Sequence, residues 1–292
     1  SMNPQLIDVS TRVLTSQPDQ HTVRLLVEAL TRAETIDVWS TICNALANVG
    51  DSEARAALLA VRDQEDRSKR DQVIGALTRI KHSSPAFQYS ARASEAIEEG
   101  QSEKAEKLLD LAISFDAEYA EAYAQRGHLL LLRQNYAEAL ADFDRAGALD
   151  PFDSLAITGR AIAIVMQGDV SAGVEQIRAA ADKFTGDARF EYNAACVYGR
   201  ALEALQSRTD SDVAAERDEF QSAALRHLKS AMLLGFDMPD FIKADPDLAV
   251  LHEVPQFQEL LASPPSPMDE GQEEQDSVVP PGEVELDIRS LR

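Results

Sequence analysis

The feature that most constrains this chain is a set of small, aromatic and proline residues at fixed places in a 34-residue unit. The stretch at 120–153 reads AEAYAQRGHLLLLRQNYAEALADFDRAGALDPFD and holds Tyr123, Gly127, Ala139, Phe143 and Pro151. Small side chains at Gly127 and Ala139 allow two helices to approach closely, and Phe143 is placed to fill the gap toward a following pair. Pro151 ends the second helix because proline lacks a backbone N–H. The stretch therefore predicts an antiparallel helix pair.

The same pattern recurs one unit on either side, without insertion. The forward unit has matching residues at Ile157, Ala161, Ile164, Gly168, Gly173, Ile177 and Ala180. The backward unit has them at Tyr89, Ala93, Ala96, Gly100, Ala105, Leu109 and Ala112. Fixed periodicity of this length is typical of stacked repeats, each of which buries its apolar face against its neighbours.

A fourth, irregular unit begins at residue 188, with Ala195 and Tyr198 in the small and aromatic places. A polar insertion at 206–218 precedes its second helix, predicted over Glu219–Leu234, and is read as a longer turn or a helix extension. Residues 236–262 are predicted to form short capping helices, because the last apolar face of a repeat array must be covered.

These places resemble the tetratricopeptide repeat (TPR), and the segment from Asp245 to Leu261 is similar to one that often closes bacterial TPR arrays. The resemblance implies an all-α fold, a right-handed α-solenoid of antiparallel helix pairs, with the array at 85–235. It also implies a concave face, lined by the first helix of each pair, that holds a peptide or protein. The groove positions so implied are Phe87, Ser90, Ser94, Ile97, Glu121, Ala124, Gln125, His128, Leu131, Leu155, Thr158, Ile162, Val165, Arg189, Tyr192, Asn193 and Cys196.

Residues 1–84 lack the TPR places but repeat an apolar-apolar-x-Ala-Leu pattern at 25–30, 41–46 and 72–77. This resembles HEAT-like helical repeats, and a generic helical bundle is the alternative. A helix is predicted at about Ser52–Val61, with Asp51 and Asp63–Asp66 in turns or at helix starts.

The last thirty residues, 263–292, form an acidic, proline-rich tail that is predicted to be mostly disordered, since it has little apolar surface to bury. Val284–Leu291 is more apolar, and is read either as a docking segment, for a partner or for the chain's own groove, or as part of a solvated tail.

The formal net charge of −22 disfavours nucleic acid and anionic membrane surfaces as partners, and favours a protein with basic patches and aliphatic anchors. No apolar run is long enough to span a membrane. With two cysteines, Cys43 and Cys196, each read as a small buried side chain, a cytoplasmic location is expected. Ser1-Met2 resembles a cleavage scar, so the chain is compatible with a piece of a longer protein.

No arrangement of residues predicts catalysis, a cofactor or a metal. His252-Glu253 begins like a zinc-protease helix, but Pro255 and Gln256 prevent a second histidine on the same face. The five histidines are far apart, and the glycines do not form a phosphate loop. We therefore predict a non-enzymatic interaction scaffold. The alternative is a regulatory or structural module whose own C-terminal segment occupies the groove, in cis or in a dimer.

The chaperone-type carboxylate clamp of some TPR proteins is absent, because its places hold Ser90, Ser94, Gln125, Leu155 and Gly159. Arg92, Arg126 and Arg160 share the seventh position of successive units. We predict that this arginine ladder pairs with acids such as Asp142 and Asp144 rather than with a ligand.

Overall fold

The structure, a computed structural model, describes residues 20–63, 66–206, 208, 213–236 and 238–265. All regular elements of these described ranges are helices, which confirms the predicted all-α fold. Contacts divide the chain into two units, Ser1–Phe184 and Thr185–Arg292. The sequence-based boundaries at 84/85, 235/236 and 262/263 stay predictions, and most of the acidic tail lies outside the described residues.

The first unit begins with four helices, α1 (Gln20–Thr31), α2 (Ile36–Val49), α3 (Ser52–Ala60) and α4 (Arg67–Ser83). Thr35, Asp51 and Asp66 start α2, α3 and α4, since their side chains accept hydrogen bonds from first-turn backbone N–H groups. Trp39 and Leu46 belong to the apolar core of this bundle. The HEAT-like assignment remains a prediction.

Three helix pairs follow in the first unit: α5 (Ala86–Glu98) with α6 (Ser102–Phe115), α7 (Ala120–Leu132) with α8 (Tyr136–Leu149), and α9 (Ser154–Met166) with α10 (Val170–Ala180). The first helices begin 34 residues apart, and so do the second helices. Each pair is joined by three residues and packed along its length, which makes it antiparallel. The predicted repeat and its phase are confirmed.

The turns inside the pairs repeat as closely as the helices do. Gly100, Gln134 and Gly168 occupy the left-handed region of backbone space, with φ of 72°, 62° and 100°. In each turn this residue donates its N–H to a carbonyl three residues back, and the next residue donates to a carbonyl five residues back. Such bonds satisfy carbonyls left free at a helix end and fix where the second helix starts.

Phe143 fills the space between the second and third pairs. A methyl group at Gly127 would lie 2.9 Å from its ring, and one at Gly159 would lie 2.3 Å from it. The phenyl ring therefore packs directly on two backbones, one in α7 and one in α9. The small residue at Gly127 is needed for the reason that the sequence predicted, and Gly159 adds a second contact.

The second unit consists of α11 (Ala188–Ala204), α12 (Val213–Leu233), α13 (Pro239–Ala244), a 3₁₀ helix at Pro246–Leu251 and α14 (Pro255–Ala262). The helix α12 begins six residues before the predicted Glu219, so residues 213–218 of the insertion extend this helix. The 3₁₀ helix packs closely on α11, where a methyl group at Gly199 would lie 2.1 Å from the Asp247 carbonyl oxygen. No described helix has the length and apolar character needed to cross a bilayer.

Candidate partner-binding site

We call the first helix of each repeat an inner helix, because the resemblance to TPR proteins assigns it to the concave face. These helices, α5, α7, α9 and α11, carry all seventeen predicted groove residues, but equivalent positions differ in exposure. The fifth position is buried in all four helices, at Ser90, Ala124, Thr158 and Tyr192. Gln125, Val165 and Cys196 are buried as well. The remaining residues are half-buried, except Arg189, which is exposed; the half-buried ones are Phe87, Ser94, Ile97, Glu121, His128, Leu131, Leu155, Ile162 and Asn193.

The buried fifth-position side chains make their polar contacts within the fold. Ser90 on α5 donates to the Gln125 carbonyl oxygen on α7 at 2.8 Å, and the Gln125 amide donates to Ser94 at 2.9 Å. On α9, the Thr158 hydroxyl donates to the backbone carbonyl of its own helix at Ser154, at 2.7 Å. In this structure Ser90, Gln125 and Thr158 therefore make contacts within the helix stack.

Glu121, a second-position residue, is engaged within the unit. Its carboxylate contacts the Lys81 ammonium of α4, and it accepts a hydrogen bond from the Tyr119 hydroxyl at 3.2 Å. It also lies 3.4 Å from the Gln125 amide nitrogen. Burial, followed by the neighbouring Glu121 charge, raises the pKa of Tyr119, so this hydroxyl stays protonated and donating. The acidic group here is part of an internal network.

The N-terminal helices reach the turns between repeats through arginines. Arg55 pairs with Asp116 at 3.7 Å, and Arg62 pairs with Asp150, the equivalent residue 34 places later, at 3.4 Å. The Arg62 guanidinium also lies 4.3 Å from the Phe152 ring centre. Arg55, Arg62 and Asp150 help to line a cavity of about 240 Å³. Its lining includes Leu59, Ile74, Leu77, Lys81, Tyr119, Glu121, Leu149 and Asp153.

Asp153 caps α9 from the wall of this cavity by accepting a hydrogen bond from the Ala156 N–H at 3.0 Å. Burial raises the pKa of Asp153 to about 6, and the neighbouring Asp150 and Glu121 charges act in the same direction. The cap hydrogen bond opposes the shift, since it favours the ionised form. This carboxyl group therefore takes up its proton at a higher pH than an ordinary aspartate does.

The inner face becomes apolar between α7 and α9. Leu131 and Leu155 pack against the buried cluster that contains Ala124 and Phe143, with part of each leucine still accessible. Ile162 lies two turns further along α9 and is also half-buried. These three side chains, which we call the aliphatic row, form the least polar part of the predicted groove.

The fourth inner helix, α11, is covered by the chain's own cap. The Tyr192 hydroxyl donates to the Asp245 carboxylate, and the Cys196 thiol lies 3.8 Å from the same group. Arg200 binds Asp247 at 2.6 Å. The resemblance to TPR proteins placed Tyr192 and Cys196 in an open groove, but residues 245–247 lie on them. Of the four predicted groove residues on α11, Arg189 and Asn193 remain accessible.

Cys196, Asp245 and Asp247 are the one group in the described ranges whose side chains are close enough to share a metal ion. Each already has a protein partner, and burial raises the pKa of the Cys196 thiol, which opposes the thiolate form that metals bind. Burial also raises the pKa of Cys43 to about 11. Both cysteines are buried and free of disulfides, as the sequence predicted.

The arginine ladder pairs within the fold, as predicted for two of its members. Arg126 makes a bidentate pair with Asp142 at 2.8 and 2.9 Å and also binds Asp110 at 2.8 Å. Arg160 binds Asp144 at 2.6 Å. The Arg126–Asp110 and Arg160–Asp144 pairs are equivalent contacts between successive repeats, each spanning sixteen residues.

Three sets of residues in these surfaces escaped the sequence analysis: Lys81 with Tyr119, the pairing arginines of α3 and its C-terminal turn, and the apolar side chains near Phe241. One signal was present, since Asp116 and Asp150 are 34 residues apart and each follows a second helix. Their partners come from 61 and 88 residues away, a distance over which a sequence pattern gives no pairing.

No protein-family model and no curated protein matches this chain. Solved structures with a similar fold include YrrB, described as a TPR protein with an unusual peptide-binding site. It has 20% identity and a TM-score of 0.34, with 69% of this chain and 96% of YrrB covered. An IFIT1 monomeric mutant with Gppp-AAAA has 14% identity and a TM-score of 0.45, covering 84% of this chain and 56% of IFIT1. A TPR protein from Parabacteroides merdae has 20% identity and a TM-score of 0.36, covering 85% and 98%.

Proposed function

We propose that this chain is a non-enzymatic scaffold that binds a peptide or protein segment along the inner helices α5, α7 and α9. The observation that carries the proposal is the aliphatic row of Leu131, Leu155 and Ile162, whose side chains are half-buried on a face where the polar groups are paired with one another. Accessible apolar side chains on such a face suit a partner with aliphatic anchors.

The chemistry of the face also favours binding over catalysis. Glu121, Ser90 and Gln125 hydrogen-bond among themselves, so the polar side chains position helices. The two thiols are buried with raised pKa values, which disfavours a thiolate nucleophile. Burying two aliphatic anchors would contribute roughly 3–6 kcal/mol before ordering costs, which suits a moderate affinity.

The test is peptide selection on the full chain, followed by binding measurements with variants. Ile162→Glu places a charge in the aliphatic row, and the selected peptides should then bind at least about tenfold more weakly, as expected when an apolar anchor site is lost. Binding is measured by fluorescence anisotropy, and melting curves establish that the variant folds. Ile162→Ser serves if the glutamate variant does not fold.

Leu111→Glu is the matched control, because Leu111 is 44% exposed on the outer helix α6 and undergoes a similar aliphatic-to-acid change. It should leave peptide binding unchanged. If Ile162→Glu and Leu111→Glu bind the selected peptides with equal affinity, the aliphatic row is not the partner site. Tyr192→Ala is a poor probe of the groove, since Tyr192 is buried and holds Asp245.

A further inference from the structure

Exposed apolar side chains are concentrated at the start of the C-terminal cap. Nine large apolar side chains of the described ranges are well exposed, and three of them lie within eight residues of one another: Leu234, Met238 and Phe241. The others are distributed over the first unit at Leu25, Ile36, Ile74, Leu111, Phe115 and Leu132. Single exposed apolar residues are ordinary, whereas several that lie close together are typical of interaction sites. We call Leu234, Met238 and Phe241 the cap patch.

The cap patch has a rigid aromatic base. Phe236 stacks on Tyr192, with ring centres 4.2 Å apart, and Phe241 contacts both rings at 5.8 and 6.3 Å. The Tyr192 hydroxyl donates to Asp245, which fixes the orientation of its ring. Phe241 nevertheless remains 50% exposed, as does Met238. An aromatic surface held in place before binding loses little conformational freedom when a partner covers it.

The net charge of the second unit indicates what kind of segment could bind the cap patch. Asp240 and Lys243 are both exposed on the short helix that carries Phe241, and residues 185–265 as a whole hold fourteen acidic and seven basic side chains. The chain's own residues 266–292 hold eight acidic and two basic side chains, so like charges oppose their docking here. A second copy would bring the same excess of negative charge. A positively charged segment is favoured by the field around the patch and by the apolar surface within it.

We propose that the cap patch docks a positively charged, amphipathic segment of another protein, whose apolar side chains cover Met238 and Phe241. The cap patch consists of residues of the second unit, whereas the proposed function uses α5, α7 and α9 of the first unit, so this proposal does not depend on the proposed function. The apolar side chains of the segment pack on Phe241, while its lysines or arginines face Asp240 and the surrounding acidic surface.

The probe is a labelled leucine–lysine amphipathic helix, titrated with the full chain and followed by fluorescence anisotropy. Phe241→Ser should weaken binding about tenfold, the effect expected for loss of an aromatic anchor. Phe115→Ser is the matched control, because Phe115 is 55% exposed and stacks on Tyr89 at 5.0 Å in the first unit. It should change binding less than about twofold. Met238→Ser replaces the test variant if Phe241→Ser does not fold.

Several results would overturn the proposal. Equal losses in the two phenylalanine variants would mean that the probe binds the acidic surface without selecting the patch. Equal affinity for a leucine–glutamate helix of the same pattern would remove the role of charge. A concentration-dependent mass in light scattering that Phe241→Ser abolishes would assign the patch to a second copy. Altered hydrogen exchange at residues 238–244 in the full-chain double variant Leu286→Asp/Ile288→Asp would assign it to the chain's own tail.

Loss of probe binding in Ile162→Glu, with Phe241→Ser unaffected, would place the cationic segment on the inner helices. The cap-patch proposal would then fail while the proposed function would stand. The reverse result, with Phe241→Ser affected and Ile162→Glu unaffected, supports two separate binding surfaces.

Discussion

At the residue scale, the turn inside each of the three repeats contains one residue with positive φ, and this residue is glycine in two of them. Gly100 and Gly168 adopt this conformation at little steric cost, whereas Gln134 adopts it with a Cβ atom against the following carbonyl. The hydrogen bonds of the turn are the same in all three, with Gln134 N–H on the Leu131 carbonyl at 2.9 Å. The second repeat therefore keeps the turn geometry while carrying local strain.

Replacing this residue should relieve the strain. We expect Gln134→Gly to raise the free energy of unfolding by about 0.5–1 kcal/mol, the steric cost of the left-handed conformation less the extra chain entropy of glycine. Urea titration monitored by circular dichroism measures the change. Gln167→Gly is the control, because Gln167 has a φ of −84° and gains nothing from glycine. A stabilisation shared by both variants would contradict the strain argument.

At the element scale, helix spacing in the array depends on contacts between rings and bare backbone. Phe143 lies against Gly127 of α7 and Gly159 of α9, so one side chain sets two interhelical distances. By contrast, a methyl group at Gly147, within α8, would meet no atom within 4 Å. Packing therefore requires a glycine at position 159 but does not require one at position 147.

These roles give substitutions of opposite sign. Gly159→Ala should destabilise the chain by about 1–3 kcal/mol, because a buried ring must move to admit the methyl group. Gly147→Ala should stabilise it by about 0.5–1 kcal/mol through lower chain entropy in the unfolded state. Both are measured by urea unfolding. Gly159→Ala should destabilise the Phe143→Leu variant less than it destabilises the natural chain, because the smaller side chain leaves room for the methyl group. Equal effects of Gly159→Ala in the two backgrounds would show that the ring is not the obstacle.

At the scale of the whole molecule, two half-buried carboxyl groups of the described residues, one in each unit, have a pKa well above that of an ordinary aspartate. Burial raises the pKa of Asp153 in the first unit and of Asp247 in the second to about 6, from an ordinary value of 3.8. The folded chain therefore binds these protons more tightly than the unfolded chain does. Their contribution to stability is present at low pH and is lost as pH rises from about 4 to 6. Acidification also reduces the negative net charge of −22, which acts in the same direction.

Asp153→Asn isolates one of these contributions, because asparagine caps a helix as well as aspartate does and carries no charge. We expect the variant to be more stable than the natural chain at pH 7.5 by about 1–3 kcal/mol, with little difference near pH 4. Urea unfolding across this pH range measures it. Asp169→Asn is the control, since Asp169 caps α10 from an exposed position. Parallel pH curves for Asp153→Asn and the natural chain would disprove the shift.

The sequence by itself determined the repeat. Helix starts at residues 86, 120, 154 and 188 follow from small residues, turn residues and helix stops that act within one unit, and any such unit must stack to bury its apolar face. The packing of Phe143 and the pairing of Arg126 and Arg160 with nearby acids were also predictable. All of these contacts join residues at most sixteen positions apart, which one period of the pattern contains.

Only the tertiary structure decided which parts of the inner face are accessible. The burial of the fifth position, the pairing of Glu121 with Lys81 and the covering of Tyr192 by Asp245 depend on segments 35 to 53 residues away. A periodic pattern fixes which face a side chain takes on its own helix, but the neighbour that covers this face is chosen by the packing of distant segments. For the same reason the cap patch could not be predicted from the sequence. The sequence shows that Phe241 and Met238 are apolar, but it does not show that they are exposed.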